Sequence, residues 1–335
     1  NDPPIWEAYI ACAKRFNIDA LMDGYFPFQW PGDPVDSRPW EQFIVYRDAE
    51  RLITQASYLE NGGRVWHDRV DVYYVANPPT CGVPPGKINL PATPVYFEPV
   101  TGVKPVDLGV SGLRGVKQSI GNQGLVGVFI TYAAICGNVE DVYHYHDYPE
   151  ELENLKAQRL LTVERRFADL MTMRPEDRPD FLCVGSSGTL VFQTPAFFHE
   201  HALPSVKRII ELAESAGIPT HVHSCGPEKE LVRILSQETA LTVIDPLEIP
   251  PMGDCDLAEL KRLYGAKIVL KGNLHTTEVM LRGCPEDVAA ASRKAIDDAA
   301  AGGRFILSTG DQCGRDTPDE NLLAMIETAR TYGKY

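Results

Sequence analysis

The sequence predicts a (β/α)8 TIM barrel with an N-terminal hairpin and lid elaboration. Three observations predict it. From about Gly124 onward, short apolar runs alternate with long amphipathic stretches, and six such units follow one another. A strand-helix-strand-helix series gives parallel strands with helices outside them. The chain has 335 residues, long for an ordinary domain and in range for an elaborated barrel. No Gly-x-Gly-x-x-Gly follows any of the strands, which argues against an open dinucleotide-binding sheet. One or two further units from the weaker first third would close an eight-fold ring.

The apolar runs read as strands at Leu125–Ile130, Phe181–Val184, Pro219–His223, Leu241–Ile244, Lys267–Leu270 and Phe305–Ser308. The amphipathic stretches read as helices over 148–172, 195–216, 227–237, 254–264, 285–301 and 318–332. Gly217 and Gly265 stop the helices that precede them. Thr317 reads as a helix cap, with Pro318 first in the helix and Glu320 completing a capping box.

The first 105 residues differ in texture. Helical spacing covers 4–18. Gln42–Asp48, Arg51–Leu59 and Arg64–Val75 alternate polar with β-branched or aromatic residues, and Glu60-Asn61-Gly62-Gly63 between the last two is a hairpin turn. Residues 76–105, rich in Pro and Gly, read as loop or lid. We expect one barrel domain over 1–335, with 1–105 as the helix, hairpin and lid region and 106–335 as the main βα units.

Composition narrows the function classes. Net charge is −14, which does not suit nucleic acid or a polybasic membrane contact. No run of 18 apolar residues exists to span a bilayer, and no charged-then-apolar signal segment opens the chain. The eight cysteines are irregularly spaced in a chain too long to need disulfide staples, so we expect a cytoplasmic, reducing setting.

The chemistry concentrates at two strand ends. Residues 219–226 read Pro-Thr-His-Val-His-Ser-Cys-Gly, and on an extended segment His223 and Cys225 point the same way. Residues 305–314 run from a strand into a Gly-rich turn that carries Asp311 and Cys313. In a barrel both strand ends reach the same rim, where such enzymes keep their active sites. One imidazole and two thiolates (His223, Cys225, Cys313) suit Zn2+ and leave a fourth position open. The competing reading is plain: Cys225 and Cys313 as small core residues and His223 as a hydrogen-bonded bystander.

Glu248, past the strand at 241–244, reads as a fourth ligand, a proton shuttle or an exposed loop carboxylate. Asp311 reads as an acceptor that orients a ligand histidine or as a turn stabiliser. His221 reads as a packed barrel residue or spare ligand, and His275 as a substrate group or helix cap. His144 and His146 sit on a polar, solvated stretch, while His199 and His201, two apart on a helix, diverge. Tyr25, Phe26, Phe28, Trp30, Trp40, Trp66, Tyr73 and Tyr74 read as core and hairpin packing, with the lining of an aromatic-substrate pocket as the alternative.

The stretches Phe198–Gly226, Lys267–Leu274 and Gly303–Met325, and more loosely Gly127–Leu170, resemble the uroporphyrinogen decarboxylase superfamily. The His-x-Cys-Gly with a later Cys is similar to its branch of zinc methyltransferases that work with corrinoid proteins. The resemblance implies a barrel, zinc on His223, Cys225 and Cys313, and a corrinoid protein docking over the barrel mouth. The corrinoid (cobalamin) would ride on that partner, because Asp-x-His-x-x-Gly is absent here. The Arg-Gln-Ala-Gly-Arg-Tyr stretch of the decarboxylases is also absent, and Gly310-Asp311-Gln312 stands where they carry Gly-His-Gly.

The lead expectation is therefore a zinc-dependent O-demethylase. It would move a methyl group from a methoxylated aromatic compound to Co(I) of the partner, with Asp311 or Glu248 supplying a proton. The alternatives are methyl transfer from a methylcorrinoid to a thiol such as coenzyme M, a metal-free decarboxylase-like enzyme, and a non-catalytic binding barrel.

Overall fold

The computed structural model describes residues 5–22, 26, 28–34, 37–77, 79–102 and 110–334. Tyr25, the first residue of the helix read at 4–18, and residues 78 and 103–105 of the Pro/Gly-rich stretch lie outside them.

Two compact units form, one from residues 33–106 and the other from 2–32 with 107–335. In chain order the larger unit opens with α1 (Ile5–Phe16) and β1 (Ala20–Met22). The smaller unit follows with β2 (Glu41–Arg47), β3 (Arg51–Glu60), β4 (Gly63–Tyr74), β5 (Thr80–Val83) and β6 (Glu98–Pro99).

Those five strands make an antiparallel sheet in the order β5-β4-β3-β2-β6. The turn from β3 to β4 places Asn61 at φ 50° and Gly62 at φ 79°, the left-handed pair a tight hairpin needs. Phe43, Val45, Ile53, Val70 and Val72 form this sheet's own buried cluster. Edge-to-face contacts among Phe43, Trp66 and Phe97 add to it, with the Arg64 guanidinium 4.2 Å above the Phe43 ring. Trp66 is thus a packing residue, as its alternation implied, and Trp40 stands edge-on to Tyr58 at 4.7 Å.

The larger unit continues with α2 (Val110–Ile120), β7 (Leu125–Thr131), α3 (Val139–Asp147), α4 (Pro149–Thr172), β8 (Phe181–Gly185), α5 (Pro195–Phe197), α6 (Leu203–Ser215) and β9 (Thr220–His223). It ends with α7 (Lys229–Glu238), β10 (Val243–Asp245), α8 (Leu257–Tyr264), β11 (Val269–Leu274), α9 (Pro285–Ala299), β12 (Phe305–Thr309) and α10 (Asp319–Tyr332). Its seven strands are parallel in the order β1-β7-β8-β9-β10-β11-β12. Helix α1 packs against both α2 and α10, which closes the helical ring between the last and first units. The architecture is the predicted (β/α)8 type, with no ladder between β12 and β1 among the described residues.

Burial explains the helix positions. In α6, Val206, Ile209, Ile210 and Ala213 are fully buried at helical spacing, so one face lies on the sheet. Trp30 is buried too, and its indole N–H donates to the Phe129 carbonyl at 2.8 Å. The sequence reading missed β1, α2 and α3. A three-residue strand carries too little pattern to see, and α2 shows its spacing only through Leu113, Val116 and Ile120.

The helix predicted over 195–216 is interrupted at Phe198–Ala202, where the chain takes one π-helical turn. The capping box at Thr317 does not form. Helix α10 starts at Asp319 with Pro318 as its cap residue and no side-chain cap, because Thr317 is buried and faces Cys313 instead.

Candidate metal centre

His223 is the last residue of β9, and parallel register sets it beside Gly185 of β8 and Asp245 of β10. A Cβ on Gly185 would stand 2.6 Å from the Phe129 ring and 3.5 Å from the His223 Cβ, so glycine keeps this row open. Asp245 is buried at the end of β10. Its Oδ1 meets His221 Nε2 at 2.7 Å and His223 Nδ1 at 3.0 Å, and its Oδ2 accepts from the Lys271 ammonium on β11. Burial alone would raise the Asp245 carboxyl's proton affinity. His221, His223 and Lys271 outweigh that and hold it well below the usual range.

An ionised carboxylate on Nδ1 fixes the His223 ring and leaves Nε2 facing outward. That nitrogen stands 4.0 Å from Cys225 Sγ and 3.9 Å from Asp311 Oδ1. Donor atoms of His223, Cys225 and Asp311 all lie within 4.8 Å of one another. Two donors bound tetrahedrally to zinc at about 2.0 and 2.3 Å stand roughly 3.5 Å apart, so His223 would need to close on each of the two by only about half an ångström. Burial by itself would lower the His223 proton affinity. Hydrogen bonds to Asp245 and Cys225 override it and hold the ring's pKa up to about 10.

Two carboxyls lock the turn that carries Cys225. Glu228 Oε2 accepts the Leu247 N–H at 2.6 Å, and Glu248 Oε2 accepts the Gly226 N–H at 2.6 Å. Each loop thus holds the other's backbone. Glu228 is fully buried, its Oε1 has no hydrogen-bond partner among the described residues, and burial and then Asp245 push its carboxyl well above the usual range. Glu248 is buried rather than an exposed loop carboxylate, and burial likewise raises it, with Asp311 adding to the effect.

Asp311 follows β12 at φ 130°, a backbone conformation an L-residue rarely adopts. Its neighbour Cys313 is not among the three clustered donors. The half-buried Cys313 thiol faces the Thr309 and Thr317 hydroxyls, and burial pushes its pKa up.

His221 is a buried barrel residue whose Nδ1 lies 3.5 Å from Cys183 Sγ. His275 caps the π-helical turn Thr276–Leu281. His144 lies on the exposed helix α3 and pairs with Glu151 at 2.9 Å, and His199 pairs with Glu238 at 2.9 Å. Sequence reasoning missed Asp245, Lys271 and Glu228. Asp245 carried a signal, a carboxylate closing an apolar strand next to the His strand; Glu228 and Lys271 carried none.

Fold and donor set together define a barrel with a metal-competent rim. Residues 180–332 match the uroporphyrinogen decarboxylase (URO-D) family model. Two similar curated proteins are both "Methylcobamide:CoM methyltransferase MtbA". The Methanosarcina mazei protein is 29% identical over 138 residues and the Methanosarcina acetivorans protein 29% over 136, in each case 41% of this chain. The chain spans only 37% of the length of these relatives. A solved methyltransferase from Methanosarcina mazei superposes with a TM-score of 0.51 at 14% identity, covering 67% of this chain and 64% of that one, which shows the shared fold. Residues 180–332 thus carry the match to the uroporphyrinogen decarboxylase family, and the chain is similar to methyltransferases.

Proposed function

We propose that this protein is a zinc-dependent methyltransferase working with a corrinoid protein, and that it moves a methyl group from a methoxylated aromatic substrate to the partner's Co(I). The observation that carries the reading is the convergence of His223, Cys225 and Asp311 within 4.8 Å at the carboxyl ends of β9 and β12. His223 and Cys225 would hold the metal. Asp311 reaches the third position in this geometry, and Cys313, two residues along the same turn, is the softer competing donor. Bound zinc supplies Lewis acidity toward an oxygen, or keeps a bound thiolate nucleophilic.

The chain's own residues do the rest. Asp245 orients the His223 ring through Nδ1. Glu248 Oε2 is tied to Gly226, so Oε1 is the oxygen free to carry a proton, and burial favours keeping it there for the departing oxygen. All eight cysteines are free thiols, which supports a reducing, cytoplasmic setting. No helix among the described residues is long and apolar enough to cross a membrane.

The test is metal content of the zinc-reconstituted protein beside Asp311→Asn and Cys313→Ala. About one zinc per chain, lost in Cys313→Ala alone, fixes a His-Cys-Cys site; loss in Asp311→Asn alone fixes His-Cys-Asp. No zinc in the wild type sinks the mechanism. Similarity to the two methylcobamide:CoM methyltransferases favours a second reading, methyl transfer from a methylcorrinoid to a thiol. Proton release on adding coenzyme M to the zinc-loaded protein would mark that direction.

A further inference from the structure

His275 follows β11 and uses one ring nitrogen for structure. Its Nδ1 accepts the backbone N–H groups of Thr277 at 3.1 Å and Glu278 at 3.2 Å. An acceptor nitrogen carries no proton, so the neutral ring has its single N–H at Nε2. That nitrogen has no hydrogen-bond partner among the described residues, and it is not sealed from solvent. His275 lines a shallow pocket with Glu248, Ile249, Met252, Asn273 and Gly310. One wall joins the candidate metal centre through Gly310, which precedes Asp311. The other joins it through Glu248, bonded to the backbone beside Cys225.

The lining sets the ligand chemistry. Ile249 and Met252 offer apolar contact. The Asn273 side-chain NH2 donates to the Leu247 carbonyl at 3.1 Å. The Asp311 carboxylate, which follows Gly310 of the lining, disfavours an anionic ligand. Among the rings here, only His275 presents an uncommitted N–H to an incoming oxygen.

We infer that His275 is a specificity-determining residue: its Nε2–H donates to the oxygen of an uncharged aryl ether or phenol and selects it over aromatic acids. The inference rests on the methoxyarene reading above and names the group that recognises the oxygen.

The test uses the zinc-loaded full chain and calorimetric titration with 2-methoxyphenol, 2-methoxybenzoate and toluene. His275→Asn keeps a short side-chain acceptor for the Thr277 and Glu278 N–H groups, while its amide N–H stops short of the position that Nε2–H reaches. His275→Ala removes both. Expected is wild-type preference for 2-methoxyphenol over 2-methoxybenzoate. His275→Asn should weaken 2-methoxyphenol about three- to tenfold, with toluene affinity and melting temperature unchanged. Wild-type affinity for 2-methoxyphenol matched by His275→Asn would overturn the inference alone and leave His275 a helix cap. A wild type that binds no 2-methoxyphenol would overturn the methoxyarene reading and the inference with it.

Discussion

Asp245→Asn is the sharpest perturbation of the candidate centre. The carboxylate serves three donors at once: His221 Nε2 at 2.7 Å, His223 Nδ1 at 3.0 Å, and the Lys271 ammonium. Asparagine has the same shape but one acceptor oxygen and one NH2. If the NH2 faces Lys271, donor meets cation; if it faces the histidines, the bond that orients His223 is gone. Losing the acceptor behind a metal-binding histidine costs about 10- to 100-fold in metal affinity, or about 1.4–2.8 kcal/mol. A second effect opposes it. Asp245 helps hold the His223 pKa at about 10, so its removal eases proton competition for the ligand nitrogen. The two separate by pH, since the orientation loss is constant while the proton effect shrinks as pH rises toward that value. The assay is zinc competition against a chromophoric chelator at about pH 7 and pH 9, with circular dichroism as the check on folding. A deficit that widens at the higher pH is expected. Affinity within about twofold of wild type at both, in a folded variant, refutes the orienting role. Lys271→Met, which touches Asp245 from the other side, should give a smaller loss.

Two further outcomes test the frame around the site. A Cβ at Gly253 would press on the Glu248 carbonyl and stand 2.6 Å from the Gly226 carbonyl. Gly253→Ala should therefore destabilise by about 1–3 kcal/mol in denaturant melts and loosen zinc binding; unchanged stability would show that the crossed Glu228 and Glu248 bonds do not set the loop. The buried Asp177 accepts from Arg114 at 2.6 and 2.7 Å and from Arg174 at 2.8 Å, first Arg114 and then Arg174 holding its carboxyl well below the usual range. A depressed carboxylate contributes stability above its unfolded pKa and loses it as pH falls. Wild-type melting temperature should thus drop between about pH 5 and pH 3, and Arg114→Met should flatten that drop; an unchanged slope refutes the assignment.

Local pattern carried most of the framework. Six strands and six helices after Gly124 fell close to their predicted bounds, because an apolar face buried on a sheet leaves a period that the sequence displays directly. The hairpin at Asn61-Gly62 was equally readable, since only a few residues tolerate left-handed backbone. His223 and Cys225 announced themselves by sharing one face of one strand end.

What the sequence could not display depends on atoms brought together from different strands. Parallel register, not chain order, sets Asp245 beside His223, and Lys271 reaches the same carboxylate from the next strand over. The candidates for a third donor show the same dependence. Chemistry and resemblance favoured Cys313, and the turn after β12, with Asp311 at φ 130°, also brings a carboxylate within reach of Cys225. The sequence by itself determined the elements, their order and the rim where the chemistry gathers, because those follow from short-range periodicity. Only the tertiary structure decided which side chains meet there, because a few ångströms of turn geometry select among donors that one-dimensional spacing leaves equivalent.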